Sequence, residues 1–245
     1  MNENARIYIC THTDFISPVK DKVYAVADSR KLFKSDRAKN GMDGLFYSEL
    51  MTYHLLAQQN IPEIVGFCGY RKYFAFLDQV PDLNDVLRRY GCIATTPYTV
   101  KGSVYDHYAN CFCFADMDVM KAVVHGRYPW LYDSFSKMLT GQNLYICNMF
   151  IMRKKDFVEM MEVVWNCLDD WIAVVGMDIR KRIQNHSDLY LNKRGRASQI
   201  EHQFRIGGNL GERIVSAYLS CKFPNLKTYD IIFTEDARPH RPLLE

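Results

Sequence analysis

The sequence predicts an α/β protein, a mostly parallel sheet with helices on both faces. Three observations carry this reading. Short β-branched and aromatic runs recur along the chain, and helical patterns separate them. Phe157, Met160, Met161, Val164, Trp165, Leu168, Trp171 and Ile172 recur at helical spacing within residues 156–172, which makes one long apolar helix face. A chain of 245 residues that is 48% hydrophobic can bury a substantial core, and no internal repeat divides it.

Taken in order, residues 6–10 (RIYIC) form a first strand, which the polar THTD at 11–14 ends. Residues 23–27 (VYAVA) form a second, followed by a charged loop through Lys39 with Asn40, Gly41 and Gly44 as punctuation. Asp43 caps a helix over 44–59, where Leu45, Phe46, Leu50, Tyr53, His54 and Ala57 keep helical spacing and Glu49 falls beside Tyr53. Pro62 breaks the chain again. Residues 64–68 (IVGFC) then form a buried strand, and Gly69 releases the backbone into Tyr70, Arg71, Lys72 and Tyr73. Asp82 caps a short helix over 83–90 that Gly91 closes. A short strand at 92–94, an irregular loop at 95–108 and a helix from Asp116 to about His125 come next. Tyr128-Pro129 precedes a helix over 130–139, with Gly141 beyond its end. Residues 144–152 (LYICNMFIM) read as one apolar strand with a single polar residue, Asn148. From 176 to 208 the pattern dissolves. Asn209 opens a last helix to about Lys222, in which Leu210, Ile214, Ala217, Tyr218 and Cys221 share a face. The expected organisation is one domain over 1–223 and a C-terminal surface tail over 224–245.

Composition excludes several classes. A net charge of +3 is too small to argue for nucleic acid as the main partner. Basic residues do cluster at Arg180, Lys181 and Arg182, at Lys193, Arg194 and Arg196, and at Arg238 and Arg241. Such clusters can meet phosphates or an anionic membrane, or simply form a solvated face. No apolar run approaches the ~20 residues that span a bilayer, and the segment MNENARIYIC lacks a signal peptide's apolar core, so a cytoplasmic location is expected. The eight cysteines lie mostly within apolar segments and read as reduced core residues, and Cys111-x-Cys113 has no second pair at zinc-site spacing. Serine hydrolases, P-loop NTPases and zincins have no support, since none of their motifs occurs.

Four groups of residues can carry chemistry. Tyr70, Arg71, Lys72 and Tyr73 combine donors for phosphate or carboxylate with stacking faces for a base or sugar, or else form an exposed, solvated turn. Asp116-Met117-Asp118 is the one D-x-D in the chain and can present hard oxygen ligands to Mg²⁺ or Mn²⁺ carrying a nucleotide diphosphate. Both carboxylates equally suit a helix N-terminus. Asn148, an amide within an apolar strand, must find hydrogen bonds, so it either ties neighbouring backbone or reads sugar hydroxyls in a cleft. Glu212 and Arg213 follow Asn209 closely, as part of a capping-box start or as an acid and a cation at a cleft edge.

Read together, YSELMTYHLL (47–56), VGFCGYRKYF (65–74), YDHY (105–108), ADMD (115–118), LYICNMFIMRKKDF (144–157) and GERIVSAYL (211–219) resemble a known family. It comprises bacterial capsular and exopolysaccharide glycosyltransferases grouped under a domain of unknown function, DUF4422, and the resemblance runs from the first strand to about Phe223. It implies a GT-A-like, Rossmann-type fold and transfer of a sugar from a nucleotide-sugar donor, UDP-linked, with Mn²⁺ or Mg²⁺ as candidate cofactors. The implied acceptor is a growing, lipid-linked capsular, O-antigen or exopolysaccharide glycan, and some relatives resemble galactofuranosyltransferases. Peripheral contact with the inner face of the cell membrane or with other glycosyltransferases would follow.

Carried over onto this sequence, Thr11 and His12 end the first strand, where a GT-A fold holds its nucleotide. The resemblance makes Glu49 and Glu212 candidate bases and Arg71 the stabiliser of the departing nucleoside diphosphate. Tyr70 and Tyr73 would stack on sugar or base, Asn148 and Arg213 would contact the donor, and Asp116 and Asp118 would ligate metal. The family pattern His-Tyr-Arg-Arg-Tyr departs here to Gly69-Tyr70-Arg71-Lys72-Tyr73, and the stretch 111–114, often His-bearing in the family, is apolar. Gly69 keeps a rival open, a non-catalytic glycan- or nucleotide-binding subunit of a polysaccharide assembly complex.

Overall fold

A computed structural model describes residues 2–32, 42–176, 178, 181 and 203–234. Strand β1 (Ala5–Thr11) buries Ala5, Ile7 and Ile9 on one face and pairs in parallel with β2 (Tyr24–Asp28), Thr11 lying opposite Asp28. A short helix, α1 (Ser29–Leu32), leaves β2. The expected charged loop falls on residues 33–41, which lie outside the described residues.

The helix expected over 44–59 is two helices, α2 (Met42–Tyr47) and α3 (Glu49–Ala57). Ser48 separates them at φ 52 and ψ −137, outside the helical region. Asp43, already inside α2, is therefore no cap, and the break puts Glu49 in the first turn of α3. Strand β3 (Ile64–Gly69) pairs in parallel with β1 along its length, Cys10 opposite Gly69. Tyr70 and Arg71 then turn the chain into β4 (Lys72–Phe74), antiparallel to β3, so Lys72 and Tyr73 belong to a strand and not to a polar loop.

Local signals hold well in α4 (Leu83–Tyr90), where the Asp82 carboxylate accepts from the Asp85 amide at 3.1 Å and Gly91 closes the helix at φ 72. After β5 (Cys92–Thr95), the expected irregular loop contains β6 (Tyr98–Thr99) and α5 (Val104–Cys111). Ser103 and Asp106 start α5 with a reciprocal capping box. Helix α6 (Phe114–Arg127) begins ahead of Asp116, which sits in its first turn and not at its cap. Helix α7 (Pro129–Thr140) follows, with proline at its first position.

The run 144–152 is not one strand. It divides into β7 (Asn143–Leu144), a turn, and β8 (Phe150–Arg153), because Cys147 (φ 68) and Asn148 (φ 49) adopt left-handed backbone. Helix α8 (Lys154–Val175) carries the expected apolar face, with Phe157, Met160, Val164, Leu168 and Trp171 buried. Helix α9 (Ile206–Lys222) begins ahead of Asn209, so Glu212 and Arg213 lie in its second turn and form no capping box. The expected surface tail instead contributes β9 (Lys227–Tyr229), parallel to β5, and β10 (Ile231–Phe233), antiparallel to β4. Residues 235–245 lie outside the described residues.

The resulting strand order is β2-β1-β3-β8-β5-β9, with the β4–β10 ribbon extending from the end of β3. Among these six strands β8 alone runs against the rest, so the sheet is mostly parallel. Alternation along β3 sends Val65 and Phe67 to one face and Ile64 and Cys68 to the other. The first face packs under α2, α3 and α5 to α9; the second packs under α4. All eight cysteines are free, and Cys10, Cys68, Cys92, Cys113 and Cys167 are buried. Among the described residues no helix is long and apolar enough to cross a membrane.

Candidate active site

Adjacent parallel strands β1 and β3 end at one edge of the sheet, and the Tyr70 amide extends their pairing by donating to the Cys10 carbonyl at 3.1 Å. Ligands of α/β sheets bind beyond such strand ends. Here a cleft of about 450 Å³ opens there. Thr11 and His12 enter it from β1, Gly69, Tyr70, Arg71 and Lys72 from β3 and the β4 turn, and Glu49, Thr52 and Tyr53 from α3. Cys147 and Arg205 complete its wall.

The acid of the cleft is anchored by the left-handed turn. Asn148 donates its amide to Glu49 Oε1 at 2.8 Å, and the Tyr53 hydroxyl donates to the Asn148 carbonyl at 3.1 Å. The Cys147 amide donates to Glu212 Oε1 at 2.7 Å, and Lys72 Nζ donates to Cys147 Sγ at 3.1 Å. Ser216 of α9 accepts from the Tyr145 amide at 3.1 Å. Left-handed backbone costs a non-glycine residue roughly 1–2 kcal/mol. Five hydrogen bonds from α3, β4 and α9 offset that cost at two consecutive residues.

Behind the turn, α9 carries a charged pair. Arg213, 1% exposed, donates to Glu212 Oε2 at 2.9 Å and to the Asn209 carbonyl at 3.1 Å. It also donates to His107 Nδ1 at 2.9 Å and lies over the Tyr108 ring at 5.5 Å. Accepting at Nδ1 leaves His107 neutral with its proton on Nε2. Burial, then the Arg213 charge, lowers the His107 pKa accordingly. Burial pushes Glu212 above the ordinary carboxylate range, against the pull of Arg213 and the Cys147 amide, and the Glu49 charge adds to the rise.

The cations differ in their partners. Burial disfavours the Lys72 ammonium, but the Cys147 sulfur and then the Glu49 and Glu212 carboxylates outweigh it and hold its pKa above the usual value. Arg30, outside the cleft wall, pairs with Asp28 at 2.7 Å and Asp14 at 2.6 Å. Among the described residues Arg71 and Arg205 have no ion pair; Arg71 lies over the Tyr70 ring at 5.0 Å. The His12 ring meets Tyr70 edge-on at 5.5 Å. Burial lowers the His12 pKa first, and Arg205, Arg71 and Arg30 lower it further, with Asp28 opposing.

Of the residues expected from sequence, Thr11, His12, Glu49, Tyr70 and Arg71 share the cleft. Tyr73 does not: it is fully buried and its hydroxyl donates to the Tyr70 carbonyl at 3.2 Å, so its ring cannot stack on a ligand. Asn148, 3% exposed, orients Glu49 and lies behind the cleft wall, and its Oδ1 is buried without a partner among the described residues. Glu212 and Arg213 support the turn from behind. Asp116 and Asp118 are on α6 and line no part of the cleft. Asp116 is fully buried with its carbonyl accepting from the Trp171 indole at 2.9 Å, and Asp118 accepts from the Tyr105 hydroxyl at 3.0 Å. Among the described residues no three or more His, Cys, Asp or Glu side chains converge, and Asp116 and Asp118, away from the cleft, do not fit an ion carried by a diphosphate bound there.

Sequence reasoning missed Cys147 and Arg205 as cleft residues. The signal for Arg205 is the pair Gly207-Gly208 inside a helix. A Cβ on Gly207 would overlap the Phe46 ring and one on Gly208 would come within 2.7 Å of Ser48 Oγ, so the missing side chains let α9 seat on α2 and carry Arg205 to the cleft. Gly69 is open: a Cβ there would meet nothing closer than Lys72 Cβ at 3.9 Å. Of the basic clusters, Lys181 pairs with Asp178 at 3.8 Å. Arg180, Arg182, Lys193, Arg194, Arg196, Arg238 and Arg241 lie outside the described residues.

A family model described as a domain of unknown function (DUF4422) matches residues 6–222. No curated protein matches the chain. Among solved structures, the apo structure of the bifunctional glycosyltransferase WbbM is similar, with a TM-score of 0.76 at 16% identity over 98% of this chain and 48% of that one. The chain thus spans about half the length of that structure, and the likeness is one of fold, GT-A-like.

Proposed function

The chain belongs to the DUF4422 family, from which we infer that it is a glycosyltransferase taking its sugar from a nucleotide-sugar donor, UDP-linked. The acceptor in this reading is a growing capsular, O-antigen or exopolysaccharide glycan, and galactofuranose is the candidate sugar, since some relatives resemble galactofuranosyltransferases. A lipid-linked acceptor would bring the protein to the inner face of the membrane. The observation that carries the reading is the presence, in one cleft at the strand ends, of an anchored carboxylate, Glu49, and the Arg71 guanidinium, which has no ion pair among the described residues. The GT-A-like fold, shared with a bifunctional glycosyltransferase, supports it.

The transfer forms a bond from an acceptor hydroxyl oxygen to the anomeric carbon while the bond from that carbon to the diphosphate oxygen breaks. The acceptor proton passes to Glu49, and the charge left on the nucleoside diphosphate meets Arg71. Glu49 is the better base of the two candidates, since it lines the cleft while both Glu212 oxygens are engaged by Cys147 and Arg213. No step is assigned to a metal, because Asp116 and Asp118 do not reach the cleft. His12 and Tyr70 rim the donor side.

The test is nucleoside diphosphate release from a panel of nucleotide sugars with glycan acceptors, with and without Mn²⁺, using the native chain and a Gly69→His variant. A Cβ at Gly69 makes only ordinary contact, with Lys72 Cβ at 3.9 Å. Release that Arg71→Ala abolishes supports the transferase. Donor binding without release in either form replaces it with the nucleotide-binding subunit.

A further inference from the structure

Arg205 reaches the cleft because Gly207 and Gly208 allow the start of α9 to pack against Phe46 and Ser48. It shares the cleft with Arg71, and neither has a carboxylate partner among the described residues. The other nearby cations are engaged: Arg30 pairs with Asp28 and Asp14, and Lys72 donates to Cys147 Sγ and feels the Glu49 and Glu212 charges. Both guanidinium charges act on His12 at the end of β1. Two uncompensated like charges facing one cavity repel each other until an anion lies between them, and planar guanidinium forks match phosphate oxygens.

We propose that Arg205 is a donor-binding residue which, with Arg71, holds the two phosphates of the donor in the cleft. This rests on the nucleotide-sugar reading and deepens it. Arg71 enters from the β3–β4 turn and Arg205 from the head of α9, so a diphosphate bound between them bridges the sheet edge and the helix layer. The clamp engages the diphosphate in the ground state and follows its charge as it departs, while Glu49 handles the acceptor proton.

Calorimetric titration of uridine diphosphate, inorganic pyrophosphate, orthophosphate and uridine into the native chain, Arg205→Ala, Arg205→Lys and Arg71→Ala tests it. Thermal melts check that each variant is folded. Arg205→Ala is expected to weaken uridine diphosphate and pyrophosphate by ~10–100-fold, with Arg205→Lys intermediate and uridine unchanged. Combining Arg71→Ala with Arg205→Ala should give a loss smaller than the product of the two, as expected of residues sharing one ligand. Pyrophosphate and uridine diphosphate affinities within twofold of native in a folded Arg205→Ala chain overturn the clamp, as does orthophosphate binding as tightly as pyrophosphate. Nucleotide-sugar turnover that Arg205→Ala leaves unchanged would remove the clamp and keep the transferase. Pyrophosphate affinity lost on Arg205→Ala in a chain that never turns over would keep the clamp and remove the transferase.

Discussion

In an Arg213→Met chain the Glu212 carboxylate loses the guanidinium at 2.9 Å and keeps the Cys147 amide at 2.7 Å. Arg213 is 1% exposed and the Glu212 side chain 17%, so water screens the pair little. Removing one partner of a buried pair costs about 3–5 kcal/mol, and the retained amide bond argues for ~3 kcal/mol. For a chain of this size that lowers Tm by roughly 6–12 °C. The loss should depend on pH. Burial holds the Glu212 pKa above its ordinary 4.5, and Arg213 is the largest influence opposing that rise, so its removal raises the pKa further. A carboxyl group with a raised folded-state pKa favours the folded state below its unfolded value, and that contribution is lost as pH rises through the folded value. The deficit of the variant against the native chain should therefore be small near pH 4.5 and grow toward neutrality. His107 acts in the same direction, since removing Arg213 relieves part of the depression that penalises the native fold in acid. Equilibrium urea unfolding followed by tryptophan fluorescence, at about pH 5 and about pH 7.5, measures both effects. A deficit under ~1 kcal/mol at the higher pH, or one equal at both, would refute the role assigned to the pair.

Glu49→Gln should lower kcat by ~10²–10⁴ and leave uridine diphosphate affinity unchanged; a parallel loss of affinity would argue that Glu49 is not the base. Gly126→Ala, with nothing within 4 Å of the added Cβ, should stabilise α6 by about 0.4–1 kcal/mol. Gly207→Ala, which overlaps Phe46, should cost about 1–3 kcal/mol, and denaturant midpoints moving in one direction for both would contradict the packing described. His12, whose cation is disfavoured by burial and by Arg205, Arg71 and Arg30 against Asp28, should titrate below 6.5 by NMR and move upward in Arg205→Ala. A titration that Arg205→Ala leaves unmoved would place that guanidinium away from His12.

Local signals carried the architecture. Asp82 and Gly91 bracket α4 at the bounds their capping chemistry dictates, because a cap needs only residues within one turn. The period along α8 and the β-branched runs of β1 and β3 were legible for the same reason: burial imposes its pattern on consecutive residues. From these, the α/β class and the strand-end position of Thr11, His12, Tyr70 and Arg71 follow.

The shape of the cleft rests on partners far apart in the chain. Apolar residues 144–152 suit a strand, but the bonds that Asn148 donates to Glu49, 99 residues away, and Cys147 to Glu212, 65 residues away, help hold the two in a left-handed turn. The same non-local packing buries Tyr73 against the sheet, draws residues 227–233 into it, and brings Arg205 to the cleft through glycines that matter only against Phe46 and Ser48. Amino-acid order alone determined the α/β class, the elements whose signals are local, such as β1, β3, α4 and α8, and which residues could do chemistry. Tertiary structure decided which of those residues meet, because hydrogen bonds and like charges act over a few ångströms of space whatever the distance along the chain.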